Sequence, residues 1–215
     1  MRLVMKVPRL LVLIVMPFVI FFGCSKSVSD GLTDEESRVY ITNKDEAAVF
    51  NSYKSFSIVD SVLIYINNAP SRQLTDADVA LLDAIKSQMQ SRGYVHTEKS
   101  ESPDLGINIT KVDQRVSSVI IDPYPGSWAT LPGYWDPGYW GWAGGYYYPP
   151  TFYVVSTKEE IIFIDLFDLK NAARNNNELN VIWNAQLRGP GVLTGPASVE
   201  GVEACFTQSP YLKTP

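Results

Sequence analysis

The alternation of apolar and polar positions divides the chain into short β-strands and two helical stretches. Residues 53–58 alternate apolar with polar positions, as a half-buried strand does. The run at 62–66 ends in the loop-forming residues 67–70, and the strand that begins at 105 is expected to extend towards residue 121. The predicted strands of the first half lie at 39–41, 53–58, 62–66, 94–97 and 105–110.

The clearest helix is predicted over 76–92. Thr75 can cap its first turn, with Asp78 three residues later, and Gly93 follows as the expected stop. An apolar stripe recurs at helical spacing and should face the core, and its members are Val79, Leu82, Ile85 and Met89.

Residues 160–187 predict the central hairpin of the sheet. The first strand is apolar on both faces between 161 and 167, so we expect the sheet to be covered on both sides. A polar turn at 171–180 leads into the returning strand. Apolar spacing over 199–206 predicts a second, shorter helix, which Gly201 weakens.

The first 23 residues have the pattern of an export signal. Met1 to Arg9 carries three basic residues and no acidic one, and 10–22 is an uncharged, largely apolar run. Thirteen residues are too few to span a bilayer, which needs about 20 apolar residues. We therefore predict a signal peptide over 1–23.

Cys24 directly follows this segment, and the stretch Phe-Phe-Gly-Cys at 21–24 resembles the lipobox of bacterial lipoproteins. The resemblance implies that Cys24 receives a diacylglyceryl group and becomes the first residue of the mature chain, which anchors the protein to a membrane. Phe21 departs from the usual leucine of that motif. The alternative is an ordinary secretory signal followed by a chance cysteine.

The mature chain would be an acidic domain on a short tether. Residues 24–37 are polar and predict a flexible tether, and 38–215 has the length of a single domain. The whole chain has a net charge of −5, which becomes −8 once the three basic residues of 1–23 are removed. Such a charge disfavours binding to nucleic acid. Because Ser25 rather than aspartate follows the cysteine, we expect the outer membrane, on its periplasmic or its surface side.

Residues 122–153 are the compositional exception. Twelve of the 31 residues from Pro123 to Tyr153 are Trp, Tyr or Phe, and Pro-Gly-Tyr-Trp occurs twice. Glycine and proline at this density predict a long loop or irregular ribbon. The candidate ligand-binding residues are Tyr134, Trp135, Tyr139, Trp140 and Trp142.

Four interpretations of this aromatic insertion stay open. The rings can cover the second face of the strand at 160–168, anchor the protein at the membrane interface, or form a binding surface for glycan, peptidoglycan or an envelope protein. The fourth interpretation is a disordered, low-complexity tract.

No catalytic constellation is evident. His96 is the only histidine, so a multi-histidine metal site is excluded, and we expect neither a metal nor a cofactor. Cys205 lies in an apolar-periodic stretch and is expected to be a small buried side chain, not the partner of His96 in a nucleophilic pair. Asp165 and Asp168 lie three apart on one predicted strand, hence on opposite faces, and one of them is expected to cap a turn.

The order of several short motifs resembles one family of envelope lipoproteins. The motifs are a lipobox, Tyr-Lys-Ser-Phe at 53–56, Ser-Arg-Gly-Tyr at 91–94, Pro-Asp-Leu at 103–105, Ile-Asp-Leu-Phe-Asp at 164–168 and Val-Ile-Trp-Asn-Ala at 181–185. They are similar to lipoproteins carrying domain of unknown function 4136. The resemblance implies an α+β fold, which we predict as a mostly antiparallel sheet of about five to seven strands with two helices packed on one face. The family brings no assigned activity.

Three functional hypotheses follow. The first is a lipid-anchored, non-catalytic binding or assembly accessory at the outer membrane of the Gram-negative envelope. The second is a purely structural lipoprotein whose aromatic insertion is internal packing. An envelope hydrolase is the least favoured.

Overall fold

The computed structural model describes residues 31–66, 69–114, 119–121, 137–142, 146–147, 153–155, 159–175 and 178–215. The chain divides into a compact unit, Thr33–Pro215, and an N-terminal unit, Met1–Leu32. All elements named below belong to Thr33–Pro215. The predicted signal peptide, Cys24 and most of the aromatic insertion lie outside the described residues.

Eleven strands, two α-helices and four 3-10 turns make up the described part of the chain. The strands are β1 (Val39–Lys44), β2 (Ser55–Ile58), β3 (Val62–Ile66), β4 (Ala69–Gln73), β5 (Val95–His96), β6 (Leu105–Gln114), β7 (Val119–Ile121), β8 (Tyr146–Tyr147), β9 (Tyr153–Val155), β10 (Glu159–Asp168) and β11 (Leu179–Arg188). The helices are α1 (Asp76–Ser91) and α2 (Gly195–Thr207), and the 3-10 turns are Phe50–Ser52, Lys99–Glu101, Pro137–Trp140 and Ala172–Arg174.

Nine of these strands form one sheet in the order β1-β11-β10-β6-β2-β5, with β3 and β4 continuing from β6 and β8 beside β11. The long strands pair antiparallel, and the parallel pairs involve the short strands β2, β3, β5 and β8. The predicted α+β class and mostly antiparallel sheet are confirmed. The predicted count of five to seven strands was too low.

Two missed strands, β4 and β8, account for part of this difference. Residues 69–73, of which 69–70 were predicted as loop, form β4, which pairs only with β3. A proline is tolerated there because β4 is an edge strand, so the missing N–H of Pro70 interrupts no further ladder.

The strand predicted to run from 105 to 121 is instead divided, since β6 ends at Gln114 and β7 pairs with β9 in a separate two-stranded sheet.

Helix α1 begins as predicted. The Thr75 hydroxyl accepts a hydrogen bond from Asp78 N at 3.3 Å, and the Asp78 carboxylate accepts one from Thr75 N at 2.8 Å, which together form a capping box. The predicted stripe was wrong at one position, because Val79 is exposed. Asp78 and Leu81 are buried instead, beside Leu82, Ile85 and Met89.

Helix α2 starts four residues earlier than predicted and packs closely on the sheet. A Cβ atom added at Gly201 would lie 2.5 Å from Leu187 Cδ2 and 2.8 Å from Tyr40 Cε1, so the missing side chain is what permits this approach. Leu187 lies opposite Ile162, which lies opposite Lys111, and Lys111 contacts Asp78 of α1. Because cross-strand partners share a face, both helices cover the same face of the sheet, as predicted.

The central hairpin of β10 and β11 forms the middle of the core. All residues from Ile161 to Asp168 are buried, on both faces of β10, which confirms that the strand is covered on both sides. The helices account for one of these faces. On the other face, Trp140 of the aromatic insertion packs edge-to-face on Phe167, with ring centroids 5.8 Å apart.

Candidate functional site

A groove of about 430 Å³ lies between residues 137–142 and the segments that adjoin strands β6 and β10. We call it the tryptophan groove. Its walls come from the loop after the 3-10 turn Lys99–Glu101, from the turn after β10, and from the aromatic insertion. Its lining includes Lys99, Ser102, Asp104, Trp140, Trp142 and Lys170.

The second Pro-Gly-Tyr-Trp motif forms the aromatic wall. Its 3-10 turn closes through hydrogen bonds from Gly141 N to Gly138 O (3.0 Å) and from Trp142 N to Pro137 O (3.2 Å). Gly141 ends the turn with φ of +82°, a conformation that favours glycine. The short turn thereby presents Trp140 and Trp142 to the same groove.

The two tryptophans differ in burial. Trp140 is 7% exposed and its Nε1 donates a 3.1 Å hydrogen bond to Asn108 Oδ1 on β6. Trp142 is half-buried and packs against the edge of the core. Trp140 is therefore mainly a packing residue, and Trp142 leaves part of its ring exposed.

Tyr139 connects the aromatic wall to the opposite loop. Lys99 Nζ lies 3.7 Å from the centroid of the Tyr139 ring, a cation–π contact. Burial, reinforced by the charge of Asp60, raises the pKa of the Tyr139 hydroxyl, so it stays protonated and able to donate a hydrogen bond.

The turn after β10 is held by Asp168. Its Oδ1 accepts a hydrogen bond from Asn171 N at 2.9 Å, and its Oδ2 accepts one from the Tyr53 hydroxyl at 2.9 Å. Burial, followed by the charge of Asp168, raises the Tyr53 pKa, which keeps that hydroxyl a donor. One of the two aspartates of this strand was predicted to cap a turn, and Asp168 does so at the end of β10. The capped turn places Lys170 at the groove.

The third wall carries both charge and backbone strain. Ser102 has φ of +54°, the only positive φ outside glycine among the described residues. Asp104 Oδ2 accepts a 2.7 Å hydrogen bond from Lys54 N and lies 3.9 Å from Lys170 Nζ. The groove thus combines one half-buried indole ring with a carboxylate, a hydroxyl and two ammonium groups.

The predicted site residues fall into two sets. Tyr139, Trp140 and Trp142 are described, and the structure brings all three to the tryptophan groove or its rim. Tyr134, Trp135 and the lipidation site Cys24 lie outside the described residues.

The residues considered for catalysis have structural surroundings. Cys205 is fully buried, as predicted, and burial raises its thiol pKa to about 12, so little nucleophilic thiolate forms near neutral pH. His96 ends strand β5, and its ring lies edge-on to Phe56 with centroids 5.3 Å apart. Asp165 hydrogen-bonds to Asn184 in the adjacent strand.

Two features are absent from the described residues. They contain no group of three or more His, Cys, Asp or Glu side chains arranged to hold a metal ion. Among these same residues, no helix combines the length and the apolar character that crossing a membrane requires.

The architecture defines an α+β domain built on one large sheet with two helices on a single face. A family model described as Domain of unknown function (DUF4136) matches residues 41–211. The chain therefore belongs to the DUF4136 family, which confirms the resemblance found in the sequence. The family is defined by this domain, and no function is assigned to the domain.

One similar structure is the crystal structure of a DUF4136 family protein from Bacteroides thetaiotaomicron VPI-5482. It is 30% identical, with a TM-score of 0.69 over 82% of this chain and 97% of that chain. No protein of curated function matches the chain.

Two more distant structures resemble it weakly. The PelC dodecamer from Paraburkholderia phytofirmans is 11% identical with a TM-score of 0.41, over 83% of this chain and 99% of that chain. A PDZ domain protein from Parabacteroides distasonis ATCC 8503 is 12% identical with a TM-score of 0.41, over 81% of this chain and 36% of that chain. Similarity at this level supports no argument about the chain.

The sequence pattern missed a group of buried polar residues on the sheet. They lie on the face opposite the helices, and they are Asn108, Thr110, Asp165, Asn184 and Gln186. The signal was present, because polar residues occupy alternate positions in both 105–110 and 181–188. Such alternation normally indicates a solvated face, and only the tertiary structure shows that this face is covered.

Proposed function

We propose that the protein is a lipid-anchored, non-catalytic binding accessory of the Gram-negative envelope that contacts glycan through the tryptophan groove. The observation that carries the proposal is the half-buried ring of Trp142 beside Ser102, Asp104 and Lys170. Aromatic faces stack on the apolar faces of sugar rings. Of the neighbouring polar groups, Asp104 can accept hydrogen bonds from sugar hydroxyls, Lys170 can donate them, and Ser102 can do either.

The anchor rests on the sequence around Cys24. Two or three acyl chains suffice for stable membrane attachment, since each buried methylene contributes about 0.8 kcal/mol. A flexible tether over 24–37 would place the domain roughly 20 Å from the membrane, and at most about 45 Å away when stretched. Ser25, in place of aspartate, favours the outer membrane.

Mass spectrometry of the exported protein tests the anchor directly. We expect the mature chain to begin at Cys24 with fatty acids attached, and Cys24→Ala to release the protein from the membrane fraction. Ser25→Asp should shift it from outer to inner membrane, and Ser25→Ala, the matched control, should not. A mature chain that begins elsewhere or lacks lipid would refute the lipoprotein assignment.

Sugar binding is tested with the full-length chain carrying Cys24→Ala. Tryptophan emission is followed while chitotetraose, the tetramer of N-acetylglucosamine, is added as a soluble substitute for the peptidoglycan glycan strand. We expect a saturable change in the parent chain, and isothermal titration calorimetry, which needs no tryptophan, should show that Trp142→Ala abolishes binding. Tyr211→Ala is the matched control, because Tyr211 is a half-buried aromatic residue that lines a different groove with Lys44 and Phe50.

A second candidate function is a structural lipoprotein whose aromatic insertion serves internal packing. The burial of Trp140 on Asn108 and Phe167 favours it. Replacing residues 132–148 by a short Gly/Ser linker separates the two candidates. Packing alone predicts a loss of several kcal/mol and no sugar response in the parent chain, since each buried aromatic contributes up to about 3 kcal/mol.

A further inference from the structure

The described lining of the tryptophan groove carries more positive than negative charge. Its charged residues are two lysines, Lys99 and Lys170, and one carboxylate, Asp104. Both lysines are exposed, so a ligand in the groove can reach their ammonium groups. The chain as a whole has a net charge of −5. A local excess of cations in a concave site on an acidic protein attracts an anionic group.

Lys99 is the first residue of a 3-10 turn whose backbone is closed on both sides. Glu101 N donates a hydrogen bond to Glu98 O, and Glu98 N donates one to Glu101 Oε2, each at 3.0 Å. Lys99 lines the groove, and these two glutamates do not. Its Nζ lies 3.7 Å from the centroid of the Tyr139 ring. An ammonium group has three N–H donors, so this contact leaves donors for a ligand.

Lys170 is held at the groove through the backbone of Asp104. Asp104 O accepts hydrogen bonds from Leu169 N at 3.0 Å and from Lys170 N at 3.1 Å, which joins two walls of the groove. Lys170 Nζ donates to Ser52 O at 2.7 Å and lies 3.9 Å from Asp104 Oδ2. The second distance is too long for a hydrogen bond, so this ammonium group also keeps donors for a ligand.

The charge balance of the lining favours a carboxylate over a phosphate. Two ammonium groups and one carboxylate leave a single positive charge. The Asp104 carboxylate is already engaged, because its Oδ2 accepts a 2.7 Å hydrogen bond from Lys54 N. A carboxylate ligand matches one positive charge. A phosphate monoester carries about −1.5 to −2 and would exceed it beside Asp104.

We propose that the tryptophan groove binds a sugar that carries a carboxylate, with the sugar ring on Trp142 and the carboxylate accepting hydrogen bonds from Lys99 and Lys170. Charge-assisted hydrogen bonds of this kind are about twice as strong as neutral ones. Two kinds of glycan present such a group, namely peptidoglycan, through the lactyl ether of N-acetylmuramic acid, and polysaccharides that contain uronic acids. The site rests on the proposed function, because it is the same groove, and it specifies which sugars the groove prefers.

A matched pair of oligosaccharides tests the carboxylate. Calorimetry on the full-length chain carrying Cys24→Ala compares chitotetraose with the peptidoglycan tetrasaccharide, in which N-acetylmuramic acid replaces every second N-acetylglucosamine. The two ligands differ only in the lactyl ethers. We expect the acidic tetrasaccharide to bind about tenfold more tightly at low salt, and this preference should shrink as salt is added. Converting its carboxylates to methylamides keeps the size and removes the charge, so the preference should disappear.

Substitution of the two lysines locates the charge. Lys99→Met and Lys170→Met should each remove most of the preference and leave chitotetraose binding largely intact, and the corresponding arginine variants should keep it. A lysine that only supported the groove would weaken both ligands alike when replaced. Lys86→Met is the matched control, because Lys86 lies on α1, pairs with Asp83 and removes the same charge away from the groove lining.

The outcomes separate the carboxylate site from glycan binding itself. If the parent chain binds both tetrasaccharides equally, or binds the methylamide as tightly as the acid, glycan binding stands and the carboxylate site is refuted. The site is also refuted if both lysine variants fold and keep the full preference. If the parent chain binds neither tetrasaccharide, both proposals fall. Should a lysine variant unfold, the methylamide comparison in the parent chain decides the question.

Two further ligands identify the anion and its source. Hyaluronan tetrasaccharide alternates N-acetylglucosamine with glucuronic acid, so tighter binding than chitotetraose supports a carboxylate from uronic acid, and the peptidoglycan tetrasaccharide reports on muramic acid. N-acetylglucosamine 6-phosphate and N-acetylmuramic acid are compared as competitors. We expect N-acetylmuramic acid to compete better, and stronger competition by the phosphate would refute the assignment of a carboxylate.

Discussion

Lys111 Nζ lies 2.5 Å from Asp78 Oδ1, and this ion pair joins the middle of the sheet to the first turn of α1. Both side chains are at most 2% exposed, and Lys111 Nζ also lies 3.4 Å from Leu193 O. Asp78 binds the helix cap with its other oxygen. One carboxylate therefore fixes both where α1 begins and where it docks.

Breaking this pair should destabilise the fold strongly. Lys111→Met leaves Asp78 as an uncompensated buried charge, and we expect a loss of about 3–5 kcal/mol in the free energy of unfolding. Lys86→Met is the control, because the pair of Lys86 with Asp83 is solvent-exposed and should contribute less than about 1 kcal/mol. Urea denaturation measures both, and equal losses would contradict a special role for Lys111.

The same pair predicts how stability depends on pH. Burial raises the pKa of Asp78, but the hydrogen bonds from Lys111 and Thr75 and the charge of Lys111 outweigh it and hold the pKa below its ordinary value. A lowered pKa contributes stability above the unfolded value of about 3.9, and this contribution is lost as the pH falls through the folded value. The free energy of unfolding should thus decrease less steeply below pH 4 in Asp78→Asn than in the parent chain. Parallel profiles would refute the linkage.

Gly201 should tolerate no side chain. In Gly201→Ala the new methyl group would meet Leu187 at 2.5 Å, which forces α2 away from the sheet. We expect a loss of about 1–3 kcal/mol. Gly195→Ala is the matched control, because its Cβ would have no neighbour closer than 3.9 Å. Thermal unfolding of the two variants tests the prediction, which fails if both behave alike.

The two groove tryptophans should differ in their effect on stability. Trp140→Ala removes a buried ring and the partner of Asn108, and we expect a loss of about 3–5 kcal/mol. Trp142→Ala removes a half-buried ring and should cost about 1 kcal/mol. Chemical denaturation measures both values. The reverse order would mean that Trp142, not Trp140, holds this turn in place.

Cys205 should resist alkylation in the folded protein. Full burial and a pKa of about 12 leave almost no accessible thiolate at pH 8. With Cys24→Ser, Cys205 is the sole remaining thiol, so the labelling rate with iodoacetamide reports on it alone. We expect slow labelling in buffer and rapid labelling in denaturant. Rapid labelling of the folded chain would reopen the question of a cysteine nucleophile.

Local patterns predicted the regular elements well. The capping box at Thr75 and the strand β3 lie where local chemistry places them, because each depends only on neighbours a few residues apart. Strand β4 was missed, because Pro70 is compatible with a strand only at the edge of a sheet, and edge position is a property of the whole fold. The exposure of Val79 and the burial of Asp78 likewise depend on which way α1 faces the sheet.

The candidate site was predicted in part. Composition alone singled out the aromatic insertion, and Tyr139, Trp140 and Trp142 do lie at the tryptophan groove or its rim. Their different burial was not predictable, since it follows from the contact of Trp140 with Asn108, which is 32 residues away in the chain. The group of buried polar residues on the sheet was missed for the same reason, because its members belong to three different strands.

By itself, the sequence determined the α+β class, the start of α1, the central hairpin and membership of the DUF4136 family. These depend on periodicity, capping and motif order, which act over short stretches of chain. Only the tertiary structure decided that Lys111 meets Asp78, that Gly201 lets α2 approach β11, and that five polar side chains share one covered face of the sheet. Each of these results from long-range packing, in which the burial of a residue is set by partners that its local sequence does not contain.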